Sequence, residues 1–342
     1  MGSTKAEPRT DARWRVCAFL TLTIMTGLLA VDCANPPPNA ISARTAPQLC
    51  ASGATQPSNR FALVHGCITY NDGSAIWAVD PNHPTNKISL GPSNGVMSTE
   101  WSRDGSRLLL LEHPDAGSTS DLSVMNADGS RTWLAGDPLS DEGSFSPDSS
   151  KVVFARPDDG LYVVDATGGI PQVIARSYLA WWLGSPAWSP DGSRIAYRVY
   201  LEGSLDGDTV QIWTVNPDGT HPRLLVNLGE CRAACAEGLA WSPDGSMLAF
   251  HSIRGVPAGT RAIYTVRADG SGLRRINRNG LQPSWSPDGS RLAFVRFPTP
   301  GGIPGEITHG ELLTMASDGS DVIPVLEDVA LSPNGLAWNP VG

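Results

Sequence analysis

From residue 59 to the C-terminus, apolar positions come in short runs that are each cut off by a polar turn of Gly, Pro and Asp. Arg194-Ile-Ala-Tyr197, Met247-Leu-Ala-Phe250 and Arg291-Leu-Ala-Phe294 have the length and composition of buried strands. Each run follows the same phrase. It stands at Trp101-Ser-Arg-Asp-Gly105, Phe145-Ser-Pro-Asp-Ser149, Trp188-Ser-Pro-Asp-Gly192, Trp241-Ser-Pro-Asp-Gly245 and Trp285-Ser-Pro-Asp-Gly289, with a worn copy at Trp338-Asn-Pro-Val-Gly342. The spacings are 44, 43, 53, 44 and 53 residues. A period in the forties made of short strands predicts propeller blades rather than a helical solenoid. Within the phrase Pro fixes φ, Asp bonds its own backbone and Gly accepts positive φ, so each copy is a turn that ends one strand and begins the next.

A second unit follows each phrase: Leu122-Ser-Val-Met-Asn-Ala-Asp-Gly129, Leu161-Tyr-Val-Val164, Ile212-Trp-Thr-Val-Asn-Pro-Asp-Gly219, Ile263-Tyr-Thr-Val-Arg-Ala-Asp-Gly270 and Leu312-Leu-Thr-Met-Ala-Ser-Asp-Gly319. Each predicts a strand and a hairpin, leading to a short fourth strand at Leu134, Ile174, Leu225, Ile276 or Leu326. Asn59–Val64, Ser74–Val79 and Lys87–Leu90 supply three strands of a blade with no phrase before it, while the chain stops at a phrase with no strands after it. Joining the two predicts an all-β, six-bladed propeller of four-stranded antiparallel blades. The ring is closed by Ala337-Trp338 pairing with the strand near Phe61 to Val64, which removes exposed sheet edges.

The phrase with its Asp-Gly turn resembles the PD40 repeat of TolB-like β-propellers, a WD40-like family, over about residues 59–342. The resemblance implies a six-bladed propeller outside the cytoplasm that binds other proteins and carries no catalytic residues. The segment before the first blade is expected to be too short for the N-terminal α/β domain that accompanies the propeller in TolB itself.

Composition narrows the rest. Of 342 residues 41% are hydrophobic and 17% charged, with 36 Gly and 28 Pro, which excludes a coiled coil, a charge-driven disordered chain and a polytopic membrane protein. The net charge is −9 and the basic residues are scattered, so no cationic surface for nucleic acid is expected. Lys5, Arg9, Arg13 and Arg15 precede the apolar run Val16–Val31, so residues 1–33 read as a signal peptide or a membrane or lipid anchor, the chain's only expected membrane contact. Cys33 resembles a bacterial lipoprotein site, although Asp32 stands before it. Residues 34–58, rich in Pro, Ser and Thr, read as a disordered linker, and 59–342 as the propeller. Export to the periplasm or the outer face of the envelope allows disulfides among Cys50, Cys67, Cys231 and Cys235. Cys231–Cys235 with Cys50–Cys67 is the simplest of three connectivities.

Long connections are expected on one face: His65–Ser74, Glu112–Ser120, Arg198–Thr209, His251–Arg261 and Arg296–Gly310, with Ala175–Pro186 and Asn227–Gly238. Tyr178, Trp181 and Trp182 form an aromatic group there, read either as an interface anchor or as a plug over an inter-blade groove. Arg156, Arg198, His251 and Arg296 end second strands and offer a cationic collar, with a solvated strand end as the plainer reading. Gly91-Pro-Ser-Asn-Gly95 spells a nucleophile elbow but is expected to lead into a strand rather than a helix. Asp206 and Asp208 are too few to fill a Ca²⁺ sphere. No catalytic residue, metal or cofactor is expected. The sequence predicts a monomeric, non-catalytic exported propeller that binds a protein, peptide or glycan of the cell envelope. The alternatives are a hydrolase or lactonase using Glu142 or Glu237 at the channel, and a partner of a separate peptidase.

Overall fold

In the computed structural model, residues 60–113, 120–136, 142–156, 159–176, 180–201, 209–230, 235–256, 260–298, 308–332 and 334–341 are described. Cys33, Cys50, Tyr178, Asp206, Asp208, Cys231 and the Trp181 side chain lie outside them, as do the segments read as signal and linker.

The period-two runs become strands. Blade 1 holds β1 (Ile68–Asn71), β2 (Ala75–Asp80) and β3 (His83–Pro92). Blade 2 holds β4 (Val96–Trp101), β5 (Arg107–Glu112), β6 (Asp121–Asn126) and β7 (Arg131–Ala135). Blade 3 holds β8 (Gly143–Phe145), β9 (Lys151–Arg156), β10 (Gly160–Asp165) and β11 (Gln172–Arg176). Blade 4 holds β12 (Ala180–Trp188), β13 (Ile195–Leu201), β14 (Thr209–Val215) and β15 (Arg223–Glu230). Blade 5 holds β16 (Cys235–Trp241), β17 (Met247–Ser252), β18 (Ala262–Arg267) and β19 (Arg274–Arg275). Blade 6 holds β20 (Leu281–Trp285), β21 (Arg291–Arg296), β22 (Thr308–Ala316) and β23 (Ile323–Leu331). The last strand, β24 (Ala337–Trp338), joins blade 1 beside β1, giving six four-stranded antiparallel sheets. The innermost strands β24, β4, β8, β12, β16 and β20 touch in that order around a central channel, and β20 returns to β24.

The closure is where expected, but its partner strand is not. Ile68 pairs with Trp338 and Thr69 with Ala337, while Arg60–Leu63 is a 3-10 turn. Phe61 and Val64 are apolar because they fill the core under the ring, with Phe61 edge-on to Trp101 at 4.9 Å. Amides of Val64 and Cys67 reach back three residues, which curls this segment instead of extending it. The expected loop His65–Ser74 therefore contains β1 and narrows to a tight turn, where the Asp72 carboxylate accepts the amides of Ser74 and Ala75.

The Trp phrase is one hydrogen-bonded unit repeated five times. Each Ser hydroxyl donates to the Asp carboxylate two residues on, at 2.5–2.7 Å, in Ser102–Asp104, Ser146–Asp148, Ser189–Asp191, Ser242–Asp244 and Ser286–Asp288. The same Ser oxygen accepts the amide five residues on, as from Met247 at 2.9 Å, so the turn satisfies its own polar groups without help from another blade. The Trp reaches outward instead. Trp241 Nε1 donates to the Ala187 carbonyl at 3.1 Å and Trp285 Nε1 to the Ala240 carbonyl at 3.0 Å, each bonding the preceding blade.

Candidate functional site: the channel and the long-loop face

Since every inner strand runs into the turn of its Trp phrase, the two turn types share one face, and the second-to-third strand connections lie on the other. The expected long connections divide. Arg198–Thr209 begins and ends in strand, as β13 runs to Leu201 and β14 starts at Thr209, which leaves 202–208 between them. Ala175–Pro186 and Asn227–Gly238 are largely strand too, taken up by β11, β12, β15 and β16. Trp182 therefore lies in a strand rather than a loop, opposite Tyr200, and packs half-buried against the core shared by blades 4 and 5. Gly91–Gly95 joins β3 to β4 as a turn, with Ser93 buried and its amide bonded to the Ser74 carbonyl, so no helix follows it.

The four residues of the expected collar each engage a neighbouring side chain, and two of them are buried. Arg156 stacks over the Tyr162 ring at 4.9 Å, and Arg296 Nε donates to Glu311 Oε2 at 2.5 Å. Arg198 is 2% exposed, lies over the Tyr200 ring at 5.0 Å and meets Glu237 of the next blade at 3.1 Å. His251, 1% exposed, sits 3.3 Å from the other Glu237 oxygen. Its Nδ1 accepts the Gln282 amide at 3.3 Å, so the ring proton is on Nε2 and faces Glu237. Burial would raise the Glu237 carboxyl, but the His251 hydrogen bond and the charges of Arg198 and Arg261 prevail and hold it at about 2. Arg198, Glu237 and His251 thus form a clasp that joins blades 4 and 5.

Two side chains cross the channel. Gln282 of blade 6 donates to Glu142 Oε1 of the opposite blade 3 at 2.8 Å, and to Asn334 Oδ1 at 3.3 Å. This crossing lies toward the long-loop face, three residues before the end of β20. There Gln282, Ser185 and Gly238 occupy the same place in their blades, three residues ahead of the Trp, and all have positive φ with a break in strand register. Left-handed backbone at the non-glycine positions costs roughly 1–3 kcal/mol. At Gly238 a Cβ would also press within 3.2 Å of His251 Nδ1 and Gln282 Oε1, so a side chain there would disturb both the clasp and the crossing. At the turn-face end, Arg103 Nη2 reaches the Pro243 carbonyl at 3.3 Å, again between opposite blades, 2 and 5.

Between the crossings the channel has a cavity of about 200 Å³ that includes Ser98, Glu100, Glu142, Ser144 and Ser284 in its lining. Glu100 Oε1 accepts the Ser144 hydroxyl at 3.0 Å and the Phe145 amide at 3.4 Å. Burial pushes the Glu100 carboxyl up to about 8 against these two hydrogen bonds, and the Glu142 charge adds to the rise. Around neutral pH Glu100 is therefore mainly protonated. Glu100 and Arg103 escaped the sequence reading, although both were visible as departures from the repeat. Where Glu100 precedes the Trp, the other copies have Ser144, Ala187, Ala240, Ser284 and Ala337, and where Arg103 stands the others have Pro. Among the described residues, no group of three His, Cys, Asp or Glu is arranged to hold a metal ion.

Cys67 and Cys235 are both disulfide-bonded. They belong to separate apolar clusters, so they do not bond each other, and their partners lie outside the described residues.

A closed ring of six four-stranded blades, five of them turning on a Ser–Asp pair, defines the fold as a six-bladed β-propeller. Residues 177–321 match the family model described as the TolB beta propeller domain. Over 118 residues the chain is 34% identical to the Tol-Pal system protein TolB of Anaeromyxobacter dehalogenans (strain 2CP-C), a stretch covering 34% of this chain and 23% of that protein. The match thus spans under a quarter of the relative's length. Among solved structures, one assigned to TolB from Agrobacterium tumefaciens superposes with a TM-score of 0.61 at 21% identity, over 81% of this chain and 94% of that one. TolB from Acinetobacter baumannii gives 0.60 at 16% identity, over 80% and 66%. At such identities these structures bear on the fold alone.

Proposed function

We propose that the protein is a non-catalytic, exported scaffold of the cell envelope that binds a protein partner, or a peptide or glycan, through its long-loop face. The observation that carries this reading is the asymmetry of the ring. One face repeats a single self-satisfied turn, whereas the other gathers connections that differ in length and sequence from blade to blade, the arrangement that gives a rigid platform a variable recognition surface. The Tol-Pal name of the relative supports an envelope setting, and the disulfides at Cys67 and Cys235 fit an oxidising compartment. Cys50 and Cys231 are the partners this reading assigns, with residues 1–33 as signal or anchor, Cys33 as a lipidation site and the propeller as a monomer. Tyr178, Trp181 and the collar residue Arg156 complete the proposed face.

The test is in-cell crosslinking and pull-down with the intact chain beside two variants in which 202–208 or 299–307 is replaced by a Gly-Ser segment of equal length. Loss of the same crosslinked protein from either variant, with thermal stability retained, supports the reading. Recovery of identical partners from all three overturns it. The runner-up, a channel hydrolase or lactonase, draws on the protonated Glu100 beside Glu142. Ester or lactone turnover abolished by Glu100→Gln would establish that activity in its place.

A further inference from the structure

On the turn face, blades 1 and 3 depart from the rule that the other four keep. In blades 2, 4, 5 and 6 the hairpin between the third and fourth strands presents Asp-Gly followed by Ser or Thr, and the Asp carboxylate holds that residue's amide, in Asp128–Ser130, Asp218–Thr220, Asp269–Ser271 and Asp318–Ser320. The glycines of blades 4 to 6 pack against the outer strand of the blade before. A Cβ at Gly219, Gly270 or Gly319 would come within 2.3, 2.2 and 2.1 Å of the carbonyl oxygens of Ile174, Leu225 and Ile276. Blade 3 has Thr167-Gly-Gly-Ile170 instead. Its Gly168 stands off, with a Cβ position 3.6 Å from the Trp133 carbonyl; Gly169 replaces the Ser or Thr, and Ile170 follows it, 90% exposed.

Ile170 stands at the lip of a groove of about 610 Å³ between blades 3 and 4. The groove floor is apolar, formed by Val163, Ile174, Trp188 and the rings of Pro147 and Pro217. Its rim carries four carboxylates, Asp148, Asp165, Asp191 and Asp218, against the single cation Lys151, which is itself 2.7 Å from Asp165. Hydrogen bonds from the turn serines keep Asp148 and Asp191 at about 2, so the rim stays negative through the physiological range. An exposed Ile costs solubility and gives the ring nothing in return, and an aromatic with an aliphatic around an apolar slot is the composition of an interface hot spot.

We infer that this groove is a second docking site, on the face opposite the long loops, for a segment of a partner protein that places an apolar side chain against Ile170 between basic residues. Charge complementarity selects the basic flanks and the floor selects the apolar anchor. The long-loop face is not involved, so the two surfaces serve different partners or different parts of one partner.

The probes are fluorescein-labelled nonapeptides with Leu or Trp centred among Lys and Arg, beside the same peptides with Glu and Asp as flanks, titrated with the intact chain and read by fluorescence anisotropy. The basic set is expected to bind, to weaken as NaCl rises from about 50 to about 300 mM, and to lose about tenfold in affinity with Ile170→Asp. Asp165→Lys should weaken it too, while Ile170→Leu and the 202–208 replacement should leave it intact. Because Ile170 is exposed, a folded Ile170→Asp protein with unchanged melting is the informative variant. Equal binding of the acidic set, binding indifferent to Ile170→Asp, or no binding of either set overturns the site. So does a concentration-dependent dimer in sedimentation that Ile170→Asp abolishes, which would show that a second copy covers the groove.

Discussion

Two carboxylates in the channel wall, Glu100 on blade 2 and Glu237 on blade 5, hold their protons in opposite ways. Burial opposes ionisation at both. Glu237 has Arg198 and His251 within 3.1 and 3.3 Å and ionises, whereas Glu100 has only a hydroxyl, an amide and the like charge of Glu142, and keeps its proton at neutral pH. The difference shows that location beside the channel does not set the chemistry of an acid. The residues delivered by the adjacent blade do. Ion pairing makes blades 4 and 5 a mechanical joint, and the want of it leaves blades 2 and 3 with a neutral acid in a cavity.

The sharpest way to break this contrast is to remove the charge from the joint. Glu237→Gln should cost about 3 kcal/mol at pH 7, read as a lower urea midpoint, because Arg198 is left buried and uncompensated. Pairing Glu237→Leu with Arg198→Met should recover most of that loss. A group whose carboxyl titrates at about 2 when folded and near 4.5 when unfolded contributes stability that is complete above 4.5 and lost as pH falls toward 2. The gap between wild type and Glu237→Gln should therefore close over that window in acid unfolding curves.

Glu100 should behave in the reverse sense. With its folded value near 8 above an unfolded value near 4.5, the wild type loses stability as pH rises between the two. Glu100→Gln should thus match wild type near pH 4 and be more stable by about 5 kcal/mol at pH 9, measured by urea titration at both. Equal stabilities at pH 9 would mean that the fold does not raise the Glu100 carboxyl above its ordinary range. The smallest effect belongs to Ser144→Ala, which removes one hydrogen bond to Glu100 and should cost about 1 kcal/mol or less at pH 7 while moving the alkaline loss of stability to higher pH.

Much of the ring could be read before any coordinates. The Trp phrase encodes a turn whose hydrogen bonds all fall within five residues, so its five copies announced the blades, and the unmatched strands at one end with the unmatched phrase at the other announced the closure. The reading failed where apolar residues had a choice. Phe61 and Val64 look like strand residues but fill the core from a 3-10 turn, because Ile68-Thr-Tyr-Asn71 is what meets Trp338. Trp182 was placed in a loop because strands β12 and β16 run longer than in the other blades, and their bulges at Ser185 and Gly238 obscure the alternation. The candidate site was less legible. Arg198 and His251 were singled out for a surface charge that Glu237 takes up inside the wall.

What the chain alone determined is the local grammar: where strands stop, how each turn closes and how many blades there are, since each depends on neighbours a few residues apart. Which carboxylate is charged, which side chains cross the channel and which hairpin stands open to a partner were decided only by the ring. Glu142 and Gln282 are 140 residues apart, and Arg103 and Pro243 likewise. Only six blades bent into a circle bring such pairs within a hydrogen bond of each other, whatever the local preferences of the residues around them.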